Sequence, residues 1–170
     1  MRDSAPSHRR RWAAHGPFLL LFCIYAAWLL VALPQYGVTW DVPFEFPRAT
    51  AYLNHFLSGV ADPSLSPWHE MSYESAKAST TGSSNGCLPS LFAALTGKIF
   101  FEWWGLLDHV DGYHLGLTLI WIAAVAHFYW RMQALHGPAH ALLATIILGC
   151  SPRIIGHVHN NMKDLPCMAF

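Results

Sequence analysis

Apolar positions in this chain gather into long uninterrupted runs, with neither the alternation of a half-buried strand nor the single stripe of a surface helix. Residues 1–16 are polar and basic, with Arg2, Arg9, Arg10 and Arg11. Pro17 to Leu33 then runs without a charge. At about 1.5 Å per residue this stretch nearly spans a hydrocarbon core of about 30 Å. A cleavable signal peptide is the alternative, but the run is long for one and ends in Leu33-Pro34-Gln35-Tyr36, with no A-x-A-like site. A retained first membrane helix is therefore expected over 17–34. The arginines before it place residues 1–16 in the cytoplasm.

The next segment, 35–112, is mixed and carries most of the acidic residues. Within it Arg48 to Leu57 reads as a short amphipathic helix, and 62–86, rich in Ser, Thr, Pro and Gly, as an irregular loop. Leu88 to Leu107 is apolar but interrupted by Lys98 and Glu102, four apart on one face and followed by two Trp. That pattern suits a helix lying in the membrane interface. A second span is expected over 113–131 and a third over 138–150, with Gly137-Pro138 marking the turn between them. Arg131 then falls on the cytoplasmic side, in agreement with the N-terminal arginines. Residues 151–166 form an outer polar loop, and 167–170 read as the start of a fourth helix. The chain is expected to be the N-terminal part of a larger polytopic protein, all-α, a transmembrane helix bundle with amphipathic interfacial helices in its first outer loop.

Composition narrows this further. Only 12% of residues are charged, about half the usual share, and the formal net charge is zero, which argues against a nucleic-acid partner. Cys23, Cys87, Cys150 and Cys167 show no CxxC spacing and read as small apolar fillers.

Two polar clusters lie just beyond helix ends on the same predicted face. Gly37 to Glu45 follows the first span and contains Asp41 and Glu45. Ser151 to Pro166 holds Arg153, His157, His159, Asn160, Asn161, Lys163 and Asp164 between two apolar segments. Polar groups crowded at membrane depth tend to line a cavity or pathway. His157-x-His159 with Asp164 also admits a metal, but two His at i and i+2 share a face only on an extended segment, and no HExxH or Cys partner accompanies them. No cofactor is expected to be required. His114, His127 and His140 read as packing or interfacial residues.

At these clusters the chain resembles the GT-C glycosyltransferases, among them the protein O-mannosyltransferases and bacterial enzymes that move sugars from polyprenyl phosphates. Thr39-Trp40-Asp41-x-Pro43 is similar to their first-loop acidic motif. Many relatives carry Asp-Glu there, whereas here Val42 follows Asp41 and Glu45 stands three residues further on. Ser151-Pro152-Arg153, Gly156-His157 and Asn160 to Pro166 resemble the second outer loop, and Asp111-Gly-Tyr-His114 resembles the entry to the second helix.

The resemblance implies transfer of a sugar from a polyprenyl-phosphate donor to a protein or glycolipid acceptor, on the outer face of the cell's inner membrane. It implies Asp41 as the catalytic base, with Glu45, Arg153, His157, His159, Asn160, Lys163 and Asp164 binding substrate. The rival class is a transporter or channel fragment, which would more often carry charged or helix-breaking residues inside its spans, whereas here the spans are clean and the polar groups sit at their mouths.

Overall fold

A computed structural model of the chain describes residues 8–37, 42–58 and 88–159. All regular structure among these is helical. Helix α1 covers His8–Ala32 and closes in a 3-10 turn, Leu33–Gln35. Helix α2 covers Val42–Ser58, and α3 covers Leu88–Gly97, running on into a π-helical stretch, Lys98–Trp103. Helix α4 covers His109–His136, α5 Pro138–Gly149 and α6 Pro152–His157.

The boundaries have local causes. Asp108 caps α4, its carboxylate accepting from the Asp111 backbone N–H at 2.8 Å. The helix ends at Gly137, whose φ of 81° is open to glycine at little cost, and Pro138 starts α5 at the position where its missing N–H is not needed. Ser151-Pro152 ends α5 after twelve residues. The second apolar helix is thus longer than the 113–131 expected, and the third is close to its expected 138–150. Residues 152–157, expected within a polar loop, form a short helix instead.

Helix α4 is the axis around which the others pack. Along one side α1 runs antiparallel to it. The His15 ring nitrogen Nδ1 meets the Tyr129 hydroxyl at 2.8 Å, Phe18 stacks on Tyr129 at 3.5 Å, and the Trp121 indole donates to the Tyr25 hydroxyl at 2.9 Å. Leu29, Trp121, Val125, Ile154 and Val158 close this interface from α1, α4 and the α6 region. Along the other side α3 also runs antiparallel to α4, and here the backbones nearly touch. Gly112 and Gly116 of α4 face Gly97 and Ala93 of α3, a pair of small-x-x-x-small patterns that lets two helices approach closely. A Cβ on Gly116 would lie 2.5 Å from the Ala93 Cα. Helix α2 covers this pair, with Phe46 packed edge-on to both His109 and Tyr113 at 4.4 Å. Residues 88–97, expected to lie in the interface, are therefore laid along the first half of α4. The Lys98–Glu102 pair read from the sequence forms an ion pair at 2.8 Å.

Two helical stretches, Ala14–Gln35 and His109–His136, are long and apolar enough to cross a membrane. Over the most apolar part of each, only 22% of the first and 39% of the second is buried within the chain. Leu20, Ile24, Val31, Leu143 and Ile147 are among the large side chains left exposed.

Candidate functional site

The site is built where the end of α1, the early turns of α4 and the end of α6 converge. Tyr36 follows the 3-10 turn that closes α1. Its ring lies 4.1 Å from that of His159, and its hydroxyl points at the Ile155 carbonyl at 3.4 Å. His159 follows α6 and is wholly buried. Its Nδ1 lies 2.7 Å from the Thr118 hydroxyl of α4. That hydroxyl also donates to the His114 carbonyl one turn back, at 2.9 Å. A hydroxyl has one proton, so both contacts are hydrogen bonds only if His159 Nδ1 carries hydrogen and donates to Thr118. The tautomer follows, and His159 Nε2 is left with a bare lone pair.

His114 shares the face of α4 with Thr118, four residues on. It too is wholly buried. Neither of its ring nitrogens, nor His159 Nε2, has a hydrogen-bond partner among the described residues. Such groups are uncommon in folded chains, because each loses its water without replacement.

The residues singled out from the sequence divide sharply here. His159 is buried in the cluster, whereas His157 and Arg153 are exposed on α6. The two histidines of His157-x-His159 thus face different surroundings, because helix and turn geometry, not an extended strand, carries them. Glu45 lies in the first turn of α2. Asp41, Asn160, Lys163 and Asp164 lie outside the described residues, Asp41 five positions after Tyr36 and Lys163 four after His159. No group of three or more metal-ligating side chains occurs among the described residues.

The sequence reads His114 as a packing or interfacial residue and does not single out Thr118; the structure buries both, with Thr118 bonded to His159. The signal that finds them is a polar pair at i and i+4 within an apolar helix, since such groups are costly in lipid unless they face the protein interior.

Burial, and secondarily the neighbouring His114, pushes the His159 imidazole down to about 4 from its ordinary 6.5. An unfolded chain takes up this proton as pH falls from about 6.5 to 4, while the folded chain resists it. The stability His159 confers is therefore complete above about pH 6.5 and lost progressively below it. Thermal unfolding in detergent at pH 7.5 and pH 5 is expected to show a fall in midpoint on acidification that is smaller in His159→Gln. An equal fall in both proteins would remove His159 as the source.

The chain matches no family model, no curated protein and no solved structure.

Proposed function

We propose that this chain is the N-terminal membrane part of a glycosyltransferase of GT-C type, taking a sugar from a polyprenyl-phosphate donor on the outer face of the cell membrane. The observation that carries the reading is the meeting of Tyr36 with His159 and Ile155. Tyr36 leads directly into the Thr39-Trp40-Asp41 motif, and His159 leads directly into Asn160 to Asp164. Two polar clusters more than a hundred residues apart thereby start from one point, as a site assembled from both requires.

In this arrangement α1, α4 and α5 cross the bilayer, and the exposed apolar side chains of α1 and α5 face lipid. Residues 8–16 lie in the cytoplasm and Tyr36 at the outer surface. Helix α1 is tied to α4 along its length through Phe18, Tyr25 and Leu29, which supports a retained helix over a cleaved leader.

The chemistry is a single displacement. Asp41 takes the proton of the acceptor hydroxyl, and the acceptor oxygen forms its bond to the anomeric carbon. The bond from that carbon to the phosphate oxygen breaks, and the electron pair leaves on the polyprenyl phosphate. Arg153 and Lys163 stabilise the charge growing on the phosphate, so no acid or metal is required, and the anomeric centre inverts. Glu45, Asn160 and Asp164 orient sugar hydroxyls or Lys163, and the acceptor is a protein or glycolipid.

In a full-length protein carrying this segment, Lys163→Ala is expected to weaken donor-lipid binding roughly tenfold to a hundredfold, the loss of one charge-assisted hydrogen bond. His157→Ala should have little effect, and a chelator none. Activity that a chelator abolishes, and that depends on His157 while ignoring Lys163, would end the phosphate assignment in favour of a metal.

One observation favours the rival class. Helix α4 carries the buried polar residues His114 and Thr118, and α5 breaks at Ser151-Pro152 after twelve residues. Broken helices and buried polar groups are typical of transporters. Solute flux into vesicles reconstituted with the full-length protein, in the absence of any sugar transfer, would select that reading.

A further inference from the structure

Between α1 and α5 lies a groove of about 350 Å3, with Val125 of α4 buried behind it. That volume falls in the range of about 300–1,000 Å3 usual for small-molecule sites. Phe18, Tyr25 and Trp28 form one wall, and Leu142, Ile146 and Gly149 the other. Gly149 leaves its side of the groove open: a Cβ there would meet only the Tyr25 ring, at 3.6 Å. The two hydroxyls among the lining residues are already engaged. Tyr25 accepts from the Trp121 indole, and Thr145 donates to the Ala141 carbonyl. The groove therefore offers hydrocarbon and aromatic faces. Leu21, Ile24, Trp28 and Ile146, which also line it, are between 40% and 57% exposed, so it opens sideways and a ligand enters without parting the helices. In the proposed membrane arrangement that opening faces lipid.

The groove leads to a polar end. Leu21, Ile24, Trp28, Val31 and Gln35 recur at three- and four-residue spacing along α1 and the turn that closes it, which sets them in one row. Trp28 also lines a second hollow, of about 260 Å3, together with Gln35 and Tyr36. On the α5 side Arg153 stands exposed three residues beyond Cys150. An apolar trough with an amide, a hydroxyl and a cation beyond its outer end suits an anionic lipid. From Leu142 to Gly149 the trough follows about two turns of α5. A transmembrane helix, about 10–12 Å wide with its side chains, is too broad to enter it, whereas a single extended chain is not. A glycerophospholipid would leave its second chain outside.

We propose that this groove holds the isoprenoid chain of the lipid-linked donor, with the phosphate end rising past Trp28 toward Gln35, Tyr36 and Arg153. The rings of Phe18, Tyr25 and Trp28 pack on its double bonds and branch methyls. The inference rests on the sugar-transfer reading and adds to it the surface that holds the lipid. The isoprene units nearest the phosphate fill the groove, and those beyond it lie in the bilayer.

The test uses the full-length protein in phosphatidylglycerol nanodiscs, with a farnesyl phosphate carrying a diazirine at its far end. On illumination this probe is expected to label residues 18–28 and 142–150 of the unmodified protein, a readout that does not depend on any variant folding. Excess farnesyl phosphate should prevent the labelling. Dodecyl phosphate has the same head group and a main chain of equal length but no branch methyls, and should compete roughly tenfold less well, the burial of about two methyl groups being lost. Ile146→Trp, at the exposed rim, fills the groove and should weaken farnesyl phosphate binding by a similar factor, while Ile146→Leu leaves it unchanged. Labelling that excess farnesyl phosphate does not reduce would mean that ordinary bilayer chains occupy the groove, and would overturn the assignment. Equal competition by dodecyl phosphate, or undiminished binding in Ile146→Trp, would overturn it too. Farnesyl phosphate that binds while the probe labels neither segment would do the same and leave the transfer reading standing, with the groove sealed by another part of the protein. If the unmodified protein binds no farnesyl phosphate, the transfer reading itself fails and this one falls with it.

Discussion

Asp41→Asn, made in a full-length protein that carries this segment, is expected to reduce sugar transfer by about 10²–10⁴-fold, the usual loss when a positioned base is removed. Asparagine is nearly isosteric and accepts a hydrogen bond, but it takes no proton at neutral pH. Asp41 immediately precedes Val42, the first residue of α2, and Asn is accepted ahead of a helix as well as Asp, so the substitution is compatible with the helix that follows. The measurement is turnover of the lipid-linked sugar, with membrane insertion and donor binding followed in parallel. Turnover close to that of the unmodified protein would take Asp41 out of the mechanism and make Glu45, one turn into α2, the next base to test.

The second large effect is on stability and concerns the contact between α3 and α4. Gly116→Ala places a Cβ 2.5 Å from the Ala93 Cα and 2.6 Å from Thr96 Oγ1. The first neighbour is backbone and cannot swing aside, so the two helices must separate and the Phe46–Tyr113–Leu117 cluster must loosen with them. Overpacking of this kind costs about 1–3 kcal/mol, which for a chain of this size lowers the unfolding midpoint by roughly 2–12 °C. Gly112→Ala, with its nearest neighbour at 3.0 Å, should fall in the same direction by less. Gly156→Ala meets nothing within 4 Å and lies in α6, so it should be neutral or stabilising by up to about 1 kcal/mol through helix propensity alone. The same order read from denaturant midpoints in detergent would confirm a packing cause. A Gly116→Ala protein as stable as Gly156→Ala would mean that α3 is not seated on α4.

Elements that rest on local signals were legible in the sequence. The uncharged run after Pro17, the Gly137-Pro138 turn and the Lys98–Glu102 pair all appear in the structure where the residues indicate. Each depends on neighbours a few positions away. What the sequence does not reveal is which side of a helix meets which partner. Leu88 to Leu107 has the composition of an interfacial helix, yet its first ten residues lie along α4 because Ala93 and Gly97 are small at matching intervals to Gly112 and Gly116. The same limit applies at the candidate site. His157 and His159 are equivalent in composition and spacing, and only the end of α6 separates them into one exposed and one buried ring. His114 reads as a packing residue because His159, which meets the same Thr118 hydroxyl that bonds the His114 carbonyl, lies forty-five positions later in the chain.

The break at Ser151-Pro152 bears on the shape of the bilayer itself. Twelve residues of α5 span roughly 18 Å, well short of a hydrocarbon core of about 30 Å, while α1 beside it is long enough to cross. In the proposed membrane arrangement this mismatch falls on one side of the protein. Lipid next to α5 relaxes it by thinning, at a cost of a fraction of a kcal/mol per Å. The outer headgroups then sit lower beside α5 than beside α1. Under that arrangement the lowered surface lies on the flank where Arg153 is exposed.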